Sequence, residues 1–324
     1  MRADLFFASA RVRRNALRQL NNNERAVFST ASMPVKNIIM NAQTEQPENQ
    51  RQIVHLNSGL PVSVINNCRD HNARGRQESR IHAELLRVGI IPLCTYIGYK
   101  HPLEAAMNLI DQIDALGEEM GTVGVNGAPR NGTAHRYENG ALFCCFQYKK
   151  IWVLATLDSE ILSLVRKLGL VKSVFVIHTK DTVARMAKDG FIAQSLCDEI
   201  AESQFRSFEF VPRVLAYVFT GHRVCCTEAP IETVVGNPPP AVALIDCFGN
   251  CKTTVLAEEL PRGAEVETAW GSLPYYPQLK SVPDGVGAIV KGSSGLPGKR
   301  FAEIVVNGGS AAERFNITVG DRIF

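Results

Sequence analysis

The 324-residue chain has no run approaching the roughly 20 consecutive apolar residues that a membrane-spanning helix needs. A spanning helix is thereby excluded, and the chain is expected to be soluble with no membrane partner. Its nine cysteines include no Cys-x-x-Cys pair, and the adjacent pairs Cys144-Cys145 and Cys225-Cys226 do not offer ordinary zinc-ligand spacing. No metal site is therefore expected. Most of these thiols stand beside Val, Leu, Phe or Ala and read as reduced sulfur packed as a small hydrophobe, with a metal or redox role as the lesser alternative. The glycines never adopt dinucleotide-binding spacing, and no phosphate loop is present. Charge of one sign is also scarce. The net +3 is local, because residues 1–36 carry six Arg and one Lys against Asp4 and Glu24, so the remainder sums to −2. A nearly neutral body argues against a nucleic-acid partner held through phosphates.

What is present is ordinary globular composition, 45% apolar and 21% charged, at a length that suits two domains of about 150 residues. Residues 1–36 are Arg-rich and acid-poor, and place Arg11, Arg14, Arg18 and Arg25 on one helical face. That is the physical form of a mitochondrial import signal, with a solvated tail as the other reading; the location is mitochondrial or cytoplasmic accordingly. Residues 37–52 read as a polar linker. From 53 to 226, strands alternate with helices: Leu60–Ile65, Ile90–Tyr96, Thr122–Val125 and Ser173–His178 read as strands. The repeats Leu103, Ala106, Met107, Ile110 and Ile113, and Val211–Phe219, read as helices. This predicts an α/β domain with a mostly parallel sheet. Residues 227–240 hold four prolines and read as a linker. Short strands separated by Gly and Pro fill 241–324, which predicts a small all-β, barrel-like domain.

Three loops of that β domain carry polar chemistry. Asp246-Cys247-Phe248-Gly249-Asn250 follows an apolar strand. Its carboxylate suits an ammonium, its ring a flat base and its amide a base edge, although an Asx turn with no ligand explains it as well. Gly292-Ser293-Ser294-Gly295 offers hydroxyls and main-chain N–H groups suited to a carboxylate, or is a hairpin tip. Asn307-Gly308-Gly309-Ser310 lets backbone approach a ligand closely.

These segments resemble the C-terminal domain of the S-adenosyl-L-methionine hydroxide adenosyltransferases, relatives of the fluorinating and chlorinating adenosyl enzymes. The resemblance rests on Ile245 to Thr254 for the Asp-x-Phe-Gly-Asn strand end, on Asn307 to Ala312, and on Val319 to Asp321. Thr156 to Leu164 and Phe208 to Pro212 resemble the family's N-terminal domain more distantly. The resemblance implies attack of hydroxide on ribose C5′ of S-adenosylmethionine, releasing adenosine and L-methionine. No cofactor is implied; S-adenosylmethionine is the substrate or ligand. It implies that Asp246 holds the ammonium, Phe248 and Asn250 the adenine, Ser294 the methionine carboxylate and Gly308 the adenine edge. It also implies a homo-oligomer, usually a trimer, with each site between two subunits.

The water-activating set departs from the family. Asn126 stands where the family has an Asp, Phe205 where it has a His, and Asn67 where an Asp grips the ribose. Arg136, beside His135, falls at the family's Arg. An amide neither takes a proton nor supplies a carboxylate's charge. Two readings follow: a hydrolase in which His135, Asp158 or Glu209 replaces the missing groups, or a degenerate relative that binds S-adenosylmethionine or adenosine without turnover.

Overall fold

The computed structural model describes residues 59–128, 140–260 and 265–324. The segments read as an import signal and as the linker 37–52 lie outside them, as do His135 and Arg136. Among the described residues, no helix is long and apolar enough to cross a membrane.

The first region is built on a seven-stranded sheet of order β2-β1-β3-β5-β4-β6-β7. Its strands are β1 (Leu60–Asn66), β2 (Pro92–Gly98), β3 (Gly121–Asn126), β4 (Phe143–Tyr148), β5 (Ile151–Thr156), β6 (Ser173–Ile177) and β7 (Cys226–Pro230). The pairings β1–β2, β1–β3 and β3–β5 are parallel. The other three, β4–β5, β4–β6 and β6–β7, are antiparallel because β4 turns straight back into β5 through Lys149, whose φ is 53°. The parallel half thus places the ends of β1, β3 and β5 on one edge, where α/β proteins hold their ligands. The stretch 227–240, expected to be a linker, contributes most of β7 and then a short helix, so the crossing to the second region comes at the triple proline.

Helices cover the sheet, most of them where the 3.6-residue period foretold them; the short helices at 206–209 and 231–234 were not foretold. They are α1 (His71–Arg87), α2 (Pro102–Leu116), α3 (Ser163–Leu168), α4 (Thr179–Lys188), α5 (Cys197–Glu202), α6 (Arg206–Glu209), α7 (Val211–Phe219) and α8 (Ile231–Val234). Asp70 caps α1 by accepting from Ala73 N at 2.8 Å. His101 caps α2 by accepting from Leu103 N, while Glu104 reaches back to His101 N at 3.0 Å. Pro102 at the first helical position needs no hydrogen-bond partner for a missing N–H.

The second region is a six-stranded sheet of order β10-β11-β12-β13-β9-β8. It comprises β8 (Val242–Ile245), β9 (Cys251–Leu256), β10 (Glu265–Thr268), β11 (Gly271–Tyr276), β12 (Gly287–Leu296) and β13 (Lys299–Val306), with helix α9 (Ala311–Phe315). All its pairings are antiparallel except β11–β12. Its strand β11 was hidden in the sequence by Gly271 and Pro274, which read as turn residues.

The two regions share one core. Ala241, Ala243, Leu256 and Phe301 of the second region pack in the same buried cluster as Ala105, Ala106 and Leu109 of α2. Polar groups rim this seam: Asp114 takes Arg300 at 2.7 Å, Lys167 pairs with Glu259 at 2.5 Å, and Lys299 Nζ donates to Leu168 O. Cys144 and Cys251 are buried thiols outside any disulfide. Burial pushes both up to about 12, so they sit as inert hydrophobes, whereas Cys247 is exposed.

A shared core makes a mechanical prediction. Phe301, 1% exposed, is truncated in Phe301→Ala, which should cost about 3–5 kcal/mol. Denaturant unfolding followed by circular dichroism and tryptophan fluorescence should stay a single transition. Two separated transitions would show that the regions fold independently.

Candidate functional site

The ends of β1, β3 and β5 gather amides rather than acids. Asn66, fully buried, faces Asn126 across the parallel register. Asn126 Nδ2 donates to Asn66 Oδ1 at 3.0 Å, Asn66 Nδ2 to Gln77 Oε1 at 2.6 Å, and Gln77 Nε2 to Ser207 Oγ at 3.1 Å. The chain of amides therefore satisfies itself from strand to helix. Asn67 clasps Ala128, donating to its carbonyl at 2.8 Å and accepting from its N–H at 3.1 Å. This fixes the turn after β3, and Gly127 N is held there by Thr156 Oγ1 at 2.8 Å.

Two titratable groups border this edge. Tyr99, 3% exposed, donates to Asn126 O at 3.0 Å. Burial first, and then the negative charge of Asp158, holds its phenol well above the ordinary value. Asp158 Oδ1 accepts from Glu160 N at 2.8 Å and Ile161 N at 3.0 Å, which starts the turn into α3. Asn67, Asn126 and Asp158 thus share one edge. Phe205, at the family's His position, is 69% exposed. Its neighbour Arg206 is buried, donates to Ala141 O and lies over the Phe143 ring; burial pulls its guanidinium down to about 10. Glu209 is committed to Arg213 at 2.7 Å.

The second group forms at the β8–β9 turn. Asp246 Oδ1 accepts from Phe248 N at 2.8 Å and Asn250 N at 2.9 Å, and Oδ2 accepts from Asn250 Nδ2 at 3.0 Å. Asp246 is therefore a turn-former, as the Asx-turn alternative required. A carboxylate offers about four acceptor sites, so one remains for an external donor. Gly249 has φ 81°, and a Cβ there would lie 2.0 Å from Ser310 Oγ. This close approach, with Ala312 N donating to Gly249 O at 2.9 Å, pins the turn against Asn307–Ser310 and the start of α9. Gly308, φ 78°, faces open space, and the Phe248 ring is 74% exposed. Two segments some sixty residues apart in the chain are thus brought together, as the sequence suggested.

Ser294 lies in a neighbouring, drier place. Only 3% exposed, it accepts from Lys252 Nζ at 2.9 Å and donates to Asp111 Oδ2 at 2.7 Å. Glu303, also buried, feels the charge of both this cluster and Asp246. Burial raises its pKa most, Lys252 lowers it, and Asp246 and Asp111 raise it further. Asp111 is likewise raised, first by burial. Sequence reasoning missed Asp111, Lys252, Glu303, Asn66 and Gln77. Asp111 lies between the apolar positions of the α2 repeat, and only the fold places a second sheet over it. Among the described hydrogen bonds and ion pairs, none joins the strand-end amides to the Asp246 turn. Two open concavities flank α1, one lined by Arg76, Arg80 and Phe208 and the other by His82 and Leu93. Among the described residues, no cluster of His, Cys, Asp and Glu is arranged to hold a metal.

Residues 240–324 match the family model of the SAM hydroxide adenosyltransferase C-terminal domain. The chain is similar in structure to an uncharacterized conserved protein from Thermotoga maritima, with a TM-score of 0.55 and 12% identity over 80% of this chain and 97% of that one. It is also similar to a conserved hypothetical protein from Thermus thermophilus, with a TM-score of 0.53 and 17% identity over 82% and 100%. At these identities the likeness is one of fold. No curated protein matches the sequence.

The geometry of the turn and of the buried acids can be tested separately. Gly249→Ala places a side chain in left-handed backbone and against Ser310, and should cost at least about 1–3 kcal/mol in thermal unfolding. A variant as stable as the wild type would mean the turn is not pinned. Glu303 and Asp111 bind protons more tightly folded than unfolded, so their contribution is full below the ordinary carboxylate range and lost as pH rises through their folded pKa values. Glu303→Gln should flatten the fall in melting temperature above that range; an unchanged slope would contradict it.

Proposed function

We propose that the protein binds S-adenosylmethionine on its C-terminal domain and hydrolyses it to adenosine and L-methionine, in the manner of a SAM hydroxide adenosyltransferase. The observation that carries this reading is the Asp246–Asn250 turn, pinned against the Asn307–Ser310 segment and topped by an exposed phenylalanine. The remaining acceptor site on Asp246 suits the ligand's ammonium. The Phe248 ring, 74% exposed, suits a purine face. Because Asn250 donates its own amide hydrogen to Asp246, its Oδ1 is turned to accept from an exocyclic amine. Gly308 would let main-chain groups reach the base edge, and the match over 240–324 supports S-adenosylmethionine as the ligand.

In the reaction, a water oxygen forms the bond to ribose C5′ while the C5′–S bond breaks. The electron pair leaves on the methionine sulfur, and the water's proton passes to a base. The sulfonium is already a good leaving group, so orientation and a desolvated nucleophile supply most of what is required. Asp158, Asn126, His135 and Arg136 are the groups we assign to the water, and Asn67 to the ribose. In this reading the strand-end edge of one subunit closes over the Phe248 face of another in a homo-oligomer.

One observation favours a second reading, binding without turnover: the amides of Asn126, Asn66 and Gln77 satisfy one another and leave no proton acceptor on that stretch of the edge. The test is incubation of the full chain with S-adenosylmethionine and chromatography for adenosine and methionine. Adenosine should form and fall by about 10²–10⁴-fold in Asp158→Asn or His135→Ala. Saturable binding with no adenosine would select the second reading. Phe248→Ala should weaken binding by about 1–3 kcal/mol, the worth of one base stacked on an aromatic ring; no binding by the wild type would defeat both readings.

A further inference from the structure

The donors around Ser294 already hold a carboxylate, and it belongs to the chain itself. Ser294 Oγ donates to Asp111 Oδ2 at 2.7 Å, and Gly295 N donates to Asp111 Oδ1 at 3.2 Å. Lys252 Nζ stands 3.9 Å from the same Oδ2 and donates to Ser294 Oγ at 2.9 Å. A hydroxyl, a main-chain N–H and an ammonium therefore converge on the two oxygens of one carboxylate, which is also what an amino acid's carboxylate would seek. The arrangement is built in. A register shift in β12 between Lys291 and Gly295 turns Ser294 toward α2, and Gly295, φ 104°, leaves no room for a Cβ against Lys299 O. Lys252 and Ser294 are 17% and 3% exposed, so water does not compete freely for them.

We infer that Asp111 occupies the carboxylate seat of the nucleoside site, and so sets its preference for nucleosides without an amino-acid tail over S-adenosylmethionine. This rests on the nucleoside reading above and refines it. A tailed ligand must displace a carboxylate tethered within the same chain, whose effective concentration far exceeds any free ligand's. A tailless nucleoside uses Phe248, Asn250 and Gly308 and leaves Asp111 in place. Under this reading adenosine, the product, is held more tightly than the sulfonium substrate. Asp114, one helical turn along α2, supplies an internal comparison: it pairs with Arg300 at 2.7 Å rather than with Ser294.

The experiment is calorimetric titration of the full chain with adenosine, 5′-methylthioadenosine and S-adenosylmethionine. The wild type should bind both tailless nucleosides about tenfold or more tightly than S-adenosylmethionine. Asp111→Ala should tighten S-adenosylmethionine about tenfold and leave adenosine within about twofold, whereas Asp114→Ala leaves the ratio as it was. Should Asp111→Ala fail to fold, Asp111→Asn, which keeps an acceptor for Ser294 but loses the charge, is read by the same ratio. An unchanged ratio in the Asp111 variant, with adenosine still binding, overturns the inference and leaves the nucleoside reading intact. Absence of heat with all three compounds removes both.

Discussion

The seam between α2 and the second sheet is the constraint on which the rest of the structure depends. One helix serves two regions. Met107, Ile110 and Ile113 are buried with Ile65 of β1 and Val123 of β3, and Ala105, Ala106 and Leu109 belong to the same cluster, which also holds Ala241, Ala243 and Phe301. Small residues at 105 and 106 let the second sheet approach closely. Because the helix is shared, the position of the β8–β9 turn relative to the strand ends is fixed by packing rather than by a linker. It also explains why Asp111 and Asp114, polar positions on an amphipathic helix, face protein: their partners Ser294 and Arg300 arrive from the other region.

On the proposed reading, the Asp246 turn joins a structural role and a binding role in one side chain. Three of its acceptor positions hold the turn's own N–H groups, a pattern any Asx turn displays. What distinguishes it is its surroundings. Gly249 is forced against Ser310, the glycine at 308 leaves main chain uncovered, and a phenylalanine is displayed rather than buried.

Much of this was legible in the sequence. The spacing of Leu103, Ala106, Met107, Ile110 and Ile113 revealed α2, Val211–Phe219 is α7 to the residue, and the triple proline marked the change of region. The loops at Asp246 and Asn307 were recognisable because glycine and amide residues at strand ends have few uses outside turns and ligand contacts. Other features were not legible for physical reasons. The runs 141–148 and 151–156 read as a hairpin or a pair of strands and do pair antiparallel, but the left-handed Lys149 that makes the reversal carries no turn signal of its own. Strand β11 hides behind Pro274, a residue that sequence reasoning assigns to strand edges and turns. Asp111, Lys252 and Glu303 come together from three elements, and pairing over more than a hundred residues leaves no local trace.

Charge balance around Lys252 completes the physical case for the kind of ligand proposed. Asp111 and Glu303 share one ammonium, and each is raised chiefly by burial, with Asp246 adding to the rise at Glu303. Lys252 lowers the pKa of Glu303, yet burial together with the charges of Asp246 and Asp111 outweighs it. In a low-dielectric setting such an excess of negative charge disfavours the empty, fully ionised state and favours a cation brought from outside. A sulfonium bearing an ammonium supplies two positive charges, while a neutral nucleoside supplies none. On the proposed reading two forces oppose each other: the acids would draw the cationic end of S-adenosylmethionine, and Asp111 would stand where its one anionic group would go.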